Sequence, residues 1–139
     1  MKNREVTGTM QPIVFDPAID LAPIPFNDEL CQLAQRLKTS GLPWNPHVGC
    51  FVWDHQHLIK PASPFPNHVY FILSLPRFLD IFGTRQALQD KLVWLPTWHQ
   101  ARLLCQRYGI VPTAQPQTTE PREELASLYR RLIAALEEH

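Results

Sequence analysis

The sequence has little glycine, five residues in 139, and none of the patterns in which glycine supports phosphate binding or a nucleophile turn. Gly-x-Gly-x-x-Gly, Gly-x-x-x-x-Gly-Lys and Gly-x-Ser-x-Gly are all missing, so dinucleotide, P-loop and hydrolase-elbow chemistry lack their backbone requirement. Excess charge is missing too. Thirteen Lys+Arg balance thirteen Asp+Glu, which leaves no net field to attract a phosphate backbone or anionic lipid. No window approaches the roughly 18 unbroken apolar residues of a membrane span, and the first ten residues have a basic start without the apolar stretch of a signal peptide. Neither nucleic acid nor membrane is an expected partner. Cysteine is sparse: Cys31, Cys50 and Cys105 are odd in number and widely spaced, unlike a secreted disulfide scaffold, so a reducing, cytoplasmic setting is expected.

What is present suits one globular domain. Hydrophobic residues make up 45% and charged residues 19% of the chain, proportions that allow a buried core and argue against disorder. Residues 1–26 hold Pro12, Pro17, Pro23 and Pro25 and predict an extended arm with one short strand at 13–15. The globular part is placed at 27–110. It begins with a helix capped by Asn27, with Asp28 and Glu29 in the first turn, Leu30, Leu33, Ala34 and Leu37 on one face, and Gly41 as the stop.

Between Leu42 and Leu75 the charged residues are Asp54 and Lys60 alone, against the six aromatics Trp44, Phe51, Trp53, Phe65, Tyr70 and Phe71. Residues 47–53 and 68–75 read as strands apolar on both faces, which requires cover above and below. A further short strand is expected at Leu58-Ile59, followed by a stiff connection through Pro61, Pro64 and Pro66. Three helices follow, at 77–82 with Pro76 in the first turn, at 85 to about 94 capped by Thr84, and at 98–108 capped by Thr97. Residues 111–119 read as a linker and 120–139 as an amphipathic helix with a stripe of Leu125, Leu128, Leu132 and Leu136. The fold class expected is α+β: a small, mainly antiparallel sheet covered by short helices, with the C-terminal amphipathic helix appended.

Three constellations carry possible chemistry. His55, His57 and His68, with Asp54 or His47, are the set a zinc ion would need, although paired Cys-x-x-Cys spacing is absent; loop histidines are more often plain solvated side chains, and no cofactor is expected. His47 and Cys50, three apart in a strand, are expected on opposite faces. Cys50 reads as a small hydrophobe among apolar neighbours, not a nucleophile. Thr97–Ile110 resembles the first helix and turn of a DNA-binding helix pair, but Pro112 and Pro116 stand where a recognition helix would follow.

Tryptophan and proline suggest recognition instead. Trp44, Trp53, Trp94 and Trp98 beside five prolines are the ingredients of a surface that binds a peptide or flat ligand, set against the plain alternative that tryptophans fill the core. The leucine stripe of the last helix can pack on its own domain, dimerise or enter a partner's groove. The expectation is a non-enzymatic accessory or interaction protein whose partner is another protein or a second copy. Its binding residues would be Trp44, Trp53, Asp54, Arg77, Trp98, Leu125, Leu128 and Leu132. The alternative is a small-ligand or metal-dependent enzyme with a pocket near Asp54, His55, His57, His68 and Arg77.

Overall fold

Helix starts are built by side-chain caps. In the computed structural model, which describes residues 15–111 and 120–138, α1 (Asp28–Thr39) opens with the Asn27 carboxamide oxygen accepting the Leu30 amide at 3.0 Å. The chain leaves α1 through Gly41 at φ +98°, a conformation that favours glycine. The helices α2 (Leu75–Phe82), α3 (Arg85–Lys91), α4 (Trp98–Arg107) and α5 (Pro121–Glu137) follow. Thr84 caps α3, and Thr97 with Gln100 forms a reciprocal capping box at α4. The predicted strand at 13–15 lies outside the described residues except Phe15, which is not in a strand, and the predicted linker lies outside them except Val111.

The sheet is three-stranded and antiparallel, with β1 (Phe51–Trp53) between β2 (Val69–Phe71) and β3 (Val93–Leu95). Phe51 pairs with Phe71 on one side and Leu95 on the other. Successive side chains point to opposite faces, so the sheet feeds two cores. Phe51, Trp53, Val69, Val93 and Leu95 join the buried faces of α1, α4 and α5. Cys50, Val52 and Ile72 join Phe78 of α2 and Leu88 of α3. The expected α+β class and its small antiparallel sheet are what the chain forms.

Several local expectations are corrected. The stretch 85–94 is not one helix: α3 ends at Lys91, and β-branched and aromatic residues carry 93–95 into β3. Consequently α4 lies with α1 and α5, not with α2 and α3. The strands are shorter than predicted. His47–Gly49 is not strand, with Gly49 at φ +102°, and Pro66–His68 is a short turn with Asn67 at φ 64° and His68 at φ 57°. Leu58-Ile59 forms no strand, because both amides donate to the Asp54 carboxylate, at 3.0 and 2.8 Å.

The α5 stripe packs against α1 and α4. Tyr129 sits fully buried beneath it and donates its hydroxyl proton to the Pro96 carbonyl. On the far side of the sheet β2 is an edge strand, with Phe71 and Leu73 exposed there and the Ser63 hydroxyl donating to the Val69 carbonyl. Among the described residues no helix is long and apolar enough to cross a membrane.

Candidate functional site: a tryptophan-walled cavity beside β3

At β3 the two helical layers part. Ala34, Leu37 and Lys38 of α1, Leu42 and Trp44 of the following loop, Gln86 and Gln89 of α3, and Trp94 of β3 line a cavity of about 250 Å³. Trp94 packs against both cores, so the cavity sits at their junction. Its far wall is held by the loop after α1, where Pro43 and Pro46 restrict the backbone. Gln89 Nε2 donates to the Trp44 carbonyl at 2.7 Å, and Arg85 Nη1 donates to Asn45 Oδ1 at 3.0 Å. These two bonds tie the loop, and with it the Trp44 backbone, to α3.

Lys38 supplies the charge. Its ammonium donates to the carbonyls of Asp90 and Leu92, at 2.6 and 3.1 Å, where α3 ends, a position at which cations are favoured. Burial pushes its pKa below the usual lysine value, and the Asp90 carboxylate partly counteracts this. No carboxylate oxygen among the described residues lies within 4 Å of Lys38 Nζ. Trp44 and Trp94 each bury an indole N–H that has no acceptor. The indole N–H of Trp98 and Oε1 of Gln35, neither in the cavity wall, are also unpartnered.

The residues singled out from the sequence are dispersed. Trp44 lines the cavity. Trp53 faces the larger core with its ring 5.2 Å from that of His55, and Trp98 opens α4 with the Arg102 guanidinium 5.1 Å from its ring centre. Arg77 is exposed on α2. Leu125 and Leu132 are fully buried and Leu128 partly buried, all in the larger core. Asp54 is 0% exposed, and its two carboxylate oxygens hold the loop amides of Leu58 and Ile59.

The rings of His57 and His68 stack at 3.7 Å and 17°. Imidazole lone pairs lie in the ring plane, so two near-parallel rings aim theirs side by side instead of at one point. His55 packs instead on Trp53. Among the described residues no group of three or more His, Cys, Asp or Glu is arranged to hold a metal ion.

His47 and Cys50, expected to diverge, meet: Cys50 Sγ lies 3.5 Å from His47 Nε2. The backbone at 48–49 is turn, not pleat, so strand alternation does not separate them. The three thiols are free and buried. Burial raises the Cys31 pKa to about 12, with the Asp28 carboxylate adding to the effect, and also raises that of Cys105 against the opposing Arg131 guanidinium.

Leu37, Lys38, Gln86 and Gln89 were not anticipated as site residues. They meet because β3 brings Trp94 alongside α1 and α3. The available signal was the run Leu92-Val93-Trp94-Leu95 before Pro96, which is strand-like in composition. Comparison of the chain with protein-family models, curated proteins and solved structures finds no match.

Proposed function

We propose that this is a non-enzymatic accessory protein of the cytoplasm that acts by binding, with the Trp44–Trp94 cavity as its recognition element. The observation that carries this reading is the composition of the cavity wall: two rigid aromatic rings and aliphatic side chains surround a few polar groups, the usual make-up of a ligand site. Its lining residues include one group that titrates, Lys38, and that ammonium is held by main-chain carbonyls. Binding is therefore better supported than acid–base or nucleophilic catalysis. The cytoplasmic setting is supported by the three unpaired thiols.

Size limits the occupant. A dry cavity of about 150 Å³ accommodates benzene, so about 250 Å³ suits a one- or two-ring compound and is too small for a length of folded peptide. The test is NMR observation of the four indole N–H signals during titration with the neutral flat probe naphthalene-2-carboxamide. The expected result is movement of the Trp44 and Trp94 signals, with those of Trp53 and Trp98 unmoved, and loss of the response in Trp44→Leu. No movement at millimolar probe, or equal movement of all four signals, would overturn the reading.

A further inference from the structure

The polar groups around the cavity are unevenly matched. An ammonium has three N–H donors; Lys38 uses two of them on the carbonyls of Asp90 and Leu92, which leaves one donor and the full positive charge at the wall. Indole nitrogen is a donor only, and the Trp44 and Trp94 indoles both lack an acceptor. The two wall glutamines already give donors elsewhere, Gln89 to the Trp44 carbonyl and Gln86 to Asp90 Oδ1. The wall thus holds a cation with a spare donor and, among the described residues, no carboxylate oxygen within 4 Å of it.

We infer that the cavity takes a planar aromatic carboxylate, its ring between the Trp44 and Trp94 side and the aliphatic wall, its carboxylate on the Lys38 ammonium. This inference rests on the binding reading above and specifies the ligand for it. Three features favour this class over a neutral ring. The Lys38 head group is fixed before the ligand arrives, because two carbonyls hold it, so little side-chain freedom remains to be lost on binding. A carboxylate accepts from a charged donor more strongly than a neutral carbonyl does. Lys38 is half-buried, so solvent and salt screen its attraction for an anion less than they would at a fully exposed site. The α3 carbonyls carry partial charge only, and the Asp90 carboxylate lies more than 4 Å from the ammonium.

The experiment compares 2-naphthoate with its neutral counterpart naphthalene-2-carboxamide, titrated into the full chain and followed by the indole N–H signals and by calorimetry. The carboxylate is expected to bind at least tenfold tighter. That ratio should fall towards one in Lys38→Met, be retained in Lys38→Arg, and shrink as sodium chloride is raised from 50 to 500 mM. Equal affinities for the two probes in the wild type overturn the carboxylate assignment and leave the cavity reading standing; failure of both to bind overturns both. If Lys38→Met does not fold, the wild-type ratio and its salt dependence decide the matter alone. A tenfold preference that does not weaken with salt also counts against the assignment.

Discussion

The two faces of the sheet use the same three strands and end differently. On one face the 12-residue α1 and 17-residue α5 lie alongside the 10-residue α4, burying Val69, Val93 and Leu95 while Phe51 and Trp53 stay half-buried. On the other face the eight-residue α2 and seven-residue α3 lie over Cys50, Val52 and Ile72, which are fully buried, and Trp44 of the proline-bearing loop after α1 packs beside them. The cavity lies where that second cover meets the first. Recognition space in this molecule therefore follows from where the two layers meet: α1 of the first and α3 of the second both line the cavity.

Substitutions in the two faces should separate them. Tyr129→Ala, at the centre of the larger core and bonded to Pro96, should cost about 3–5 kcal/mol in urea unfolding and slow-exchange amides should be lost throughout α1, α4 and α5. A much smaller loss would mean that the larger core is not the stronger one. Asp54→Ala leaves the Leu58 and Ile59 amides without acceptors and should cost roughly 2–3 kcal/mol. Its effect on hydrogen exchange should concentrate at 54–59 on the smaller side.

Alkaline pH acts first on the larger core. The folded-state pKa of Cys31 is raised from 9.0 to about 12, so folded protein keeps a proton that unfolded protein releases. The stability this contributes is complete below pH 9 and is lost as pH rises towards 12, at up to about 1.4 kcal/mol per unit. From pH 8 to 10.5 the loss should be roughly 2 kcal/mol. The raised pKa values of Cys105 and Tyr129 act in the same direction; the lowered value of Lys38 acts in the opposite one, over the pH range just below 10.5. Cys31→Ala should flatten the dependence of the urea midpoint on pH, and an unchanged slope would show that Cys31 does not control it. The smallest effect is expected from Thr97→Ala, which removes the α4 capping box for about 1 kcal/mol in thermal or urea unfolding and should leave the cavity signals of Trp44 and Trp94 in place.

Much of the larger core was legible because its signals are local. Asn27, Thr84 and Thr97 cap the helices as their positions suggest, and the leucine spacing of α5 marks its inward face, with Leu125 and Leu132 buried and Leu128 and Leu136 partly so. The sheet was legible in class and antiparallel sense but not in its third member. Leu92–Leu95 follows a good helix-forming stretch without glycine or proline between them, so propensity continued the helix where pairing with β1 ends it. The site was legible in two residues, Trp44 and Trp94, both read from the sequence as parts of an aromatic surface. Lys38 is far along the chain from Gln89 and Trp94, and their meeting depends on that unanticipated strand. His47 and Cys50 differ from the strand expectation for the opposite reason: Gly49, at φ +102°, breaks the two-residue periodicity between them.

The exposed outer margin of β2 has a consequence for handling the molecule. Phe71 is 36% and Leu73 75% exposed there, with no Asp, Glu, Lys or Arg between Lys60 and Arg77 to repel an approaching chain. Such a margin templates the addition of further strands from neighbouring molecules, so turbidity on mild heating or concentration should originate there. A single Leu73→Lys exchange should delay that clouding while leaving ligand uptake at the opposite border of the sheet unaltered.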